Sequence, residues 1–252
     1  MLLRENLRAT NSLTKYPSIL TYHALDDRGR VTDEVLVSFD VSPILVTEKI
    51  DGTNARIICH RGDYLIGSRE ELLTARGDCI HNPALGIVDA LHTMAERAAS
   101  YTRNEPEVVV VFGEVYGGKA SAASKQYTVS SAVGFRVFDV VTFTEDEFRE
   151  MSTRDPRRIA AWRDGCGQRF MEAVALANFV ALADLERVPV IGTWEHLPTT
   201  PGDVLTLLRA TLPSTRAGID ANGRAEGLVA RTADRKRIAK LRFEDYERGQ
   251  KR

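Results

Sequence analysis

Apolar positions recur along this chain in two periods, and the switches between them outline its elements. Ile44-Leu45-Val46 is a short apolar run that leads into Glu48-Lys49-Ile50-Asp51-Gly52-Thr53-Asn54, which reads as a strand ending in a tight Asp-Gly turn. Residues 55–59 and 64–66 read as the arms of a hairpin closed by Gly67-Ser68-Arg69-Glu70. Val108-Val109-Val110-Val111-Phe112-Gly113-Glu114 is apolar without a break, as in a strand buried on both faces, and it ends on a carboxylate. Residues 134–140 alternate like a further strand. Residues 225–231 and 238–243 form two more, joined by a short basic turn.

The 3.6-residue period appears between these strands. Leu85, Val88, Leu91, Ala95 and Ala98 predict a helix over 84–98. The stretch from 144 to 185 reads as helical. Thr144 precedes Glu145-Asp146-Glu147 as an N-cap with an acidic first turn, and Pro156 opens a second helix whose buried stripe would be Phe170, Val174, Ala177 and Ala181. Residues 188–192 predict a short strand. Val204, Leu208 and Leu212 mark another helix, begun after Pro201-Gly202 and ended by Pro213. The first forty residues, with Tyr16-Pro17-Ser18-Ile19 and the turn Asp26-Asp27-Arg28-Gly29-Arg30, read as an irregular lead-in with one or two strands. Strands thus carry the polar motifs and helices lie between them, which predicts an α+β fold built on antiparallel sheets.

Size and composition narrow the class. The 252 residues suffice for one large domain or two small ones. With 43% hydrophobic and 27% charged residues the chain has the balance of an ordinary globular protein, and no apolar stretch approaches the roughly 20 residues of a membrane span. The N-terminus shows no signal-peptide pattern. Three widely spaced cysteines, Cys59, Cys79 and Cys166, suit unpaired thiols in a reducing cytoplasm rather than a disulfide framework or a zinc site. A net charge of −1 gives no global attraction to nucleic acid. Locally, however, Arg231, Arg235, Lys236, Arg237, Lys240 and Arg242 crowd together with Asp234 the only acid among them, a cluster able to hold phosphates.

The sharpest chemical signal is Lys49 beside the Asp-Gly turn. A lysine is a nucleophile only as the neutral amine, so a reactive one needs a setting that removes its proton. A Lys-x-Asp-Gly tetrad alone would occur in roughly one chain of this length in twenty. Five segments in order carry far more: the tetrad, Ser68-Arg69-Glu70, the strand ending on Glu114, Phe135-Arg136-Val137-Phe138-Asp139, and Glu226-Gly227 followed by Lys240-Leu241-Arg242. Over residues 44–243 this ordered set resembles the covalent nucleotidyltransferase superfamily of polynucleotide ligases and mRNA-capping enzymes, and within it the ATP-dependent RNA ligases of the RNA ligase 2 class.

The resemblance implies an ATP-grasp-like nucleotidyltransferase core of antiparallel sheets flanked by helices around a nucleotide cleft. It would occupy 1–252 as a single domain, with a lead-in 1–43 and a helical insertion about 144–185. It looks like a minimal catalytic core without the C-terminal OB or helical module that most relatives carry. The implied activity joins 5′-phosphate and 3′-hydroxyl ends of RNA, nicked or broken duplex, through a lysyl-AMP on Lys49 and an adenylylated end. ATP and Mg2+, or Mn2+, are the implied cofactors. Lys240 would contact the α-phosphate and help Lys49 lose its proton. Glu226 and Glu114 would be metal ligands, Glu114 otherwise contacting the ribose. Glu48, Arg69, Phe135 and Arg242 complete the implied cofactor-binding set, Phe135 as an adenine platform, and Asn54 and Arg69 would act at the nucleic-acid end. Arg242 stands where the family commonly has a second lysine, an exchange that is not conservative at a phosphate. A minimal ATP-dependent DNA ligase, which would take DNA, and a ligase-derived nucleotide- or RNA-binding protein are the competing readings; an accessory protein could supply a second domain.

Overall fold

In a computed structural model, described for residues 2–40, 43–81 and 86–250 (residues 249 and 250 by their backbone alone), the chain forms seven α-helices and twelve strands among the described residues. These are α1 (Leu7–Leu13), β1 (His23–Leu25), β2 (Val31–Val35), β3 (Ile44–Lys49), β4 (Thr53–His60), β5 (Asp63–Ser68), β6 (Leu72–Ala75), β7 (Asp78–Cys79), α2 (Ile87–Tyr101), β8 (Val108–Gly117) and β9 (Val133–Phe143). There follow α3 (Glu145–Ser152), α4 (Pro156–Asp164), α5 (Ala173–Leu182), β10 (Val190–Trp194), α6 (Pro201–Thr211), β11 (Gly227–Thr232), β12 (Ile238–Arg242) and α7 (Phe243–Gln250). The fold is α+β with antiparallel sheets, as the patterning predicts.

The chain divides into two compact units. One combines the N-terminal stretch to Ser18 with Gly52–Ser121 and Val133–Arg187; the other combines Ile19–Asp51, Ala122–Ala132 and the residues from Val188 onward.

The first unit is a six-stranded sheet ordered β7-β6-β5-β4-β8-β9. Val108–Val111 is buried throughout because helices cover both faces. On one face Ala55, Ile57, Val109 and Val111 pack against Leu91 and Ala95 of α2 and Leu176 and Phe179 of α5. On the other, Ile58, Val110 and Phe112 pack against Leu13 of α1, Phe148 of α3 and Ile159 of α4. Thr144 forms a reciprocal capping box with Glu147, and Pro156 occupies the first turn of α4.

Three expectations change here. The lead-in begins with helix rather than irregular chain: Asn6 caps α1 by accepting from the Ala9 amide, and Leu3, Ala9 and Leu13 are buried. The segment from 156 does not continue as one helix. It stops at Asp164 before Gly165, with Cys166 left-handed at φ 65°, and the buried stripe of α5 is Leu176, Phe179 and Val180, with Val174 exposed. Because α5 is apolar on nearly every side, its sequence could not orient it. Gly67 and Ser68 extend β5, whose turn with β4 lies at Arg61-Gly62, so Arg69 belongs to the next turn, toward β6. The helix expected over 84–98 is α2; Leu85 lies outside the described residues.

The second unit contains a four-stranded sheet, β10-β3-β11-β12, and the β1-β2 hairpin. β3, the strand that ends at Lys49, is flanked by β10 and β11. One sheet face presents Val46, Leu228, Ala230, Ala239 and Leu241 to Val204, Leu205 and Leu208 of α6 and to Phe243 and Tyr246 of α7. The helix α7 has no counterpart in the sequence reading.

Candidate active site

In the second unit, strand register brings the motif residues together. Lys49 stands opposite Gly227, and Gly227 opposite Arg242; two residues along, Thr47 stands opposite Val229, and Val229 opposite Lys240. Alternation therefore places Lys49, Lys240 and Arg242 on the sheet face away from the α6 and α7 core. Glu226 immediately precedes β11, and its Oε2 accepts from Lys49 Nζ at 2.6 Å. The ladder is close here because Gly227 permits it. At φ +159° its backbone is extended, but a Cβ would lie 2.8 Å from the Arg242 Cα.

The electrostatics of this face are unbalanced. Lys49 is paired with Glu226, and Arg242 donates through Nε and Nη2 to both carboxylate oxygens of the buried Asp245, at 2.8 and 2.7 Å. The Lys240 ammonium has no hydrogen-bonding or ionic partner among the described residues. Burial holds its pKa below the ordinary lysine range, and the charges of Arg242 and Lys49 lower it further. Burial pushes the Glu226 carboxyl up, more than Lys49 pulls it down. Its Oε1 accepts no hydrogen bond among the described residues, which fits a carboxylate able to hold a divalent cation, directly or through water. Among the described residues no three His, Cys, Asp or Glu side chains cluster as a metal cage, and magnesium requires none, since it keeps waters and takes phosphate oxygens.

Glu48 points the other way. Alternation puts it on the core face, 1% exposed, where its carboxylate accepts from Thr215 Oγ1 and, at 2.7 Å, from the Arg216 amide. Burial raises its pKa and these bonds oppose the rise. Its side chain anchors the turn at 215–217, on the face opposite Lys49. The rest of the basic cluster is mostly committed: Arg237 pairs with Asp40 at 2.6 Å and Lys236 with Asp234 at 3.0 Å.

In the first unit, Asn54 of β4 stands opposite Glu114 of β8, and Glu114 opposite Arg136 of β9. The Arg136 Nε donates to Tyr116 Oη at 3.2 Å. Arg69 lies in the turn after β5, 59% exposed at its side chain and 3.6 Å from Glu70. Beneath that turn Arg56 is fully buried and donates to the Arg69 carbonyl at 3.1 Å; burial lowers its pKa to about 9. Phe135 is not part of this row. It lies on the α2 face of the sheet, 7% exposed, its ring over Gly113 where a Cβ would collide with it. Its packing is that of a core residue with a little of its surface left exposed.

These motifs extend across most of the chain, and the family model for RNA ligase matches residues 42–242. The chain belongs to the RNA ligase family. No curated protein matches it. Among solved structures, this RNA ligase family member resembles Naegleria gruberi RNA ligase with pyrophosphate, at a TM-score of 0.60 and 12% identity over 95% of this chain and 59% of that one. It also resembles a variant of the same ligase with ATP and manganese, at 0.59 and 13% over 95% and 63%, and another with AMP and manganese, at 0.56 and 12% over 94% and 65%. At such identities the likeness is one of fold, and the chain spans less than two thirds of those proteins. The family carries the covalent nucleotidyltransferase type of fold. Among the described residues no helix is long and apolar enough to cross a membrane.

Sequence reasoning missed three residues that shape this site: Tyr127, whose hydroxyl accepts from the Asp51 amide at 2.7 Å, Thr215 and Asp245. Asp245 three residues after Arg242 was a readable helix-type pairing. Tyr127 and Thr215 are distant in sequence from what they bind and left no local signal.

Proposed function

We propose that the chain is an ATP-dependent RNA ligase that joins 5′-phosphate to 3′-hydroxyl ends through a lysyl-AMP on Lys49. The observation that carries this reading is the Lys49–Glu226 pair at 2.6 Å on one sheet face with a Lys240 that has no partner among the described residues. Attack requires Lys49 Nζ to part from Glu226 and give up a proton to solvent; its lone pair then forms the N–P bond to the α-phosphorus as the bond to pyrophosphate breaks. Lys240, uncommitted and facing the same side, is the cation available to offset charge on the α-phosphate. Arg242, spent on Asp245, is less free to do so. Glu226 would hold a divalent cation, and Glu114 in the first unit is a second candidate; the cation supplies charge neutralisation on phosphate oxygens. Asn54 and Arg69 are proposed to act at the nucleic-acid end. The single-domain organisation over 1–252, with 144–185 as an insertion that completes the core, is part of the same reading.

The test is incubation with α-labelled ATP and magnesium or manganese, beside a Lys49→Ala control, then a chase with nicked RNA or DNA duplex. Acid-labile label that needs Lys49, passes to the 5′ end of the nick and is released as AMP as the RNA is sealed is the expected result. Release of the label as AMP with sealing of DNA alone would make the chain a DNA ligase. Label that stays on Lys49 or on an adenylylated end, with no strand joined and no AMP released, would point to a required partner, and no label would promote a nucleotide- or RNA-binding role.

A further inference from the structure

The segment Ala122–Ala132 is inserted in sequence between β8 and β9, yet it belongs to the second unit. It is laced to the loop that leads into Glu226. Gln126 accepts from the Gly223 amide at 2.8 Å through its carbonyl and from the Arg224 amide at 2.7 Å through its side chain. The Tyr127 carbonyl accepts from the Ile219 amide at 2.8 Å. Asp220 in turn accepts from the amides of Val129 and Ser130 at 2.7 and 3.1 Å. From this braced segment the Tyr127 side chain, wholly buried, reaches the turn after Lys49 and accepts the Asp51 N–H at 2.7 Å. Around its phenol stand Glu48, Asp51 and Glu226; burial first, and then these negative charges, raise its pKa, so it stays a neutral phenol.

We propose that Tyr127 is a positioning residue for the nucleophile: its phenol oxygen fixes the Asp51 amide and thereby the turn that aims Lys49 at the α-phosphorus. The inference rests on the proposed adenylylation of Lys49. A fixed turn matters because Lys49 must leave Glu226 and approach phosphorus along one line, and misplacement by about 1 Å costs about 10²-fold in rate. A phenylalanine would fill the same space and leave the Asp51 amide without this acceptor.

The experiment is single-turnover formation of lysyl-AMP by the full chain, wild type beside Tyr127→Phe, across a range of ATP concentrations. The expected result is a maximal rate lower by about 10- to 100-fold with the half-saturating ATP concentration unchanged. A merely structural role would instead lower the melting temperature and the labelled fraction without slowing the folded enzyme. Equal maximal rates overturn the inference while the ligase reading stands. Absence of label in the wild type overturns both. Should Tyr127→Phe not fold, Asp220→Asn carries the test: weakening the brace at an exposed carboxylate is expected to slow the step about 2- to 5-fold, and an unchanged rate refutes the role of the segment.

Discussion

Replacing Gly52 by alanine tests whether the glycine of the Lys-x-Asp-Gly motif is there for close approach or merely for a turn. Its φ is not positive, so conformational freedom is not the reason. A Cβ there would press on the Val115 carbonyl oxygen, lie 2.9 Å from the Glu114 Cγ and 3.0 Å from the Val115 carbonyl carbon. Two of these atoms are backbone and cannot rotate away, so the start of β4 must back off β8. Overpacking of this kind costs about 1–3 kcal/mol. The register pair Thr53–Val115 lies next to the clash, and a ladder hydrogen bond lost there adds about 1 kcal/mol. The smaller entropy of the unfolded alanine chain returns about 0.4–1 kcal/mol. The net expectation is a loss of about 2–3 kcal/mol, a melting temperature lower by about 5–10 °C for a chain of this size. The assay is thermal and urea denaturation of Gly52→Ala beside wild type. A second readout is lysyl-AMP formation at a temperature where both are folded, expected to fall by about 10²-fold if the strand start shifts by about 1 Å. Unchanged stability together with unchanged labelling would refute the close-approach argument.

Three further outcomes follow from the second unit. Lys240→Met should raise the melting temperature at pH 7 while abolishing labelling. The folded state holds Lys240 below the ordinary lysine pKa, so the unfolded chain binds the extra proton between those two values and wild-type stability rises with pH across that window. The advantage of methionine should accordingly fade as the pH rises through about 10.4. Arg242→Lys, which restores the family's usual spacing of two lysines, should cost about 1–3 kcal/mol in urea denaturation, because it breaks the two-bond pair with Asp245, 1% exposed; a gain in stability would refute that assignment. Glu48→Gln should cost about 1–3 kcal/mol by the same measurement, since both its oxygens accept from donors and an amide would set its own N–H against one of them.

How far the sequence could be read depended on whether a local pattern decided the outcome. β8 was legible because four valines in a row fit only a strand covered on both sides, and α6 because Pro201 and Pro213 bracket a clear apolar stripe. The Lys49, Glu226 and Lys240 grouping followed from motif order, and register shows how β11 brings it together: Gly227 stands opposite Lys49, Val229 opposite Lys240, and Glu226 immediately precedes Gly227. Alternation could equally have warned that Glu48 faces away from Lys49, and that Phe135 faces away from Arg136 and its cross-strand neighbour Glu114. The motif reading ignored that parity. α1 is too short for periodicity to mark, α5 too uniformly apolar, and Tyr127 meets Asp51 across 76 residues of chain.

The position of β3 has a consequence for the chain's synthesis. Both its sheet neighbours, β10 and β11, come from beyond residue 188, so the strand ending at Lys49 leaves the ribosome with neither edge matched. At about 5–20 residues per second, Lys240 follows Lys49 by about 10–40 seconds. For that interval Ile44-Leu45-Val46 is an apolar strand with open edges, a natural substrate for chaperones. The same delay leaves Lys49 without Glu226 and Lys240 until β11 and β12 have been made.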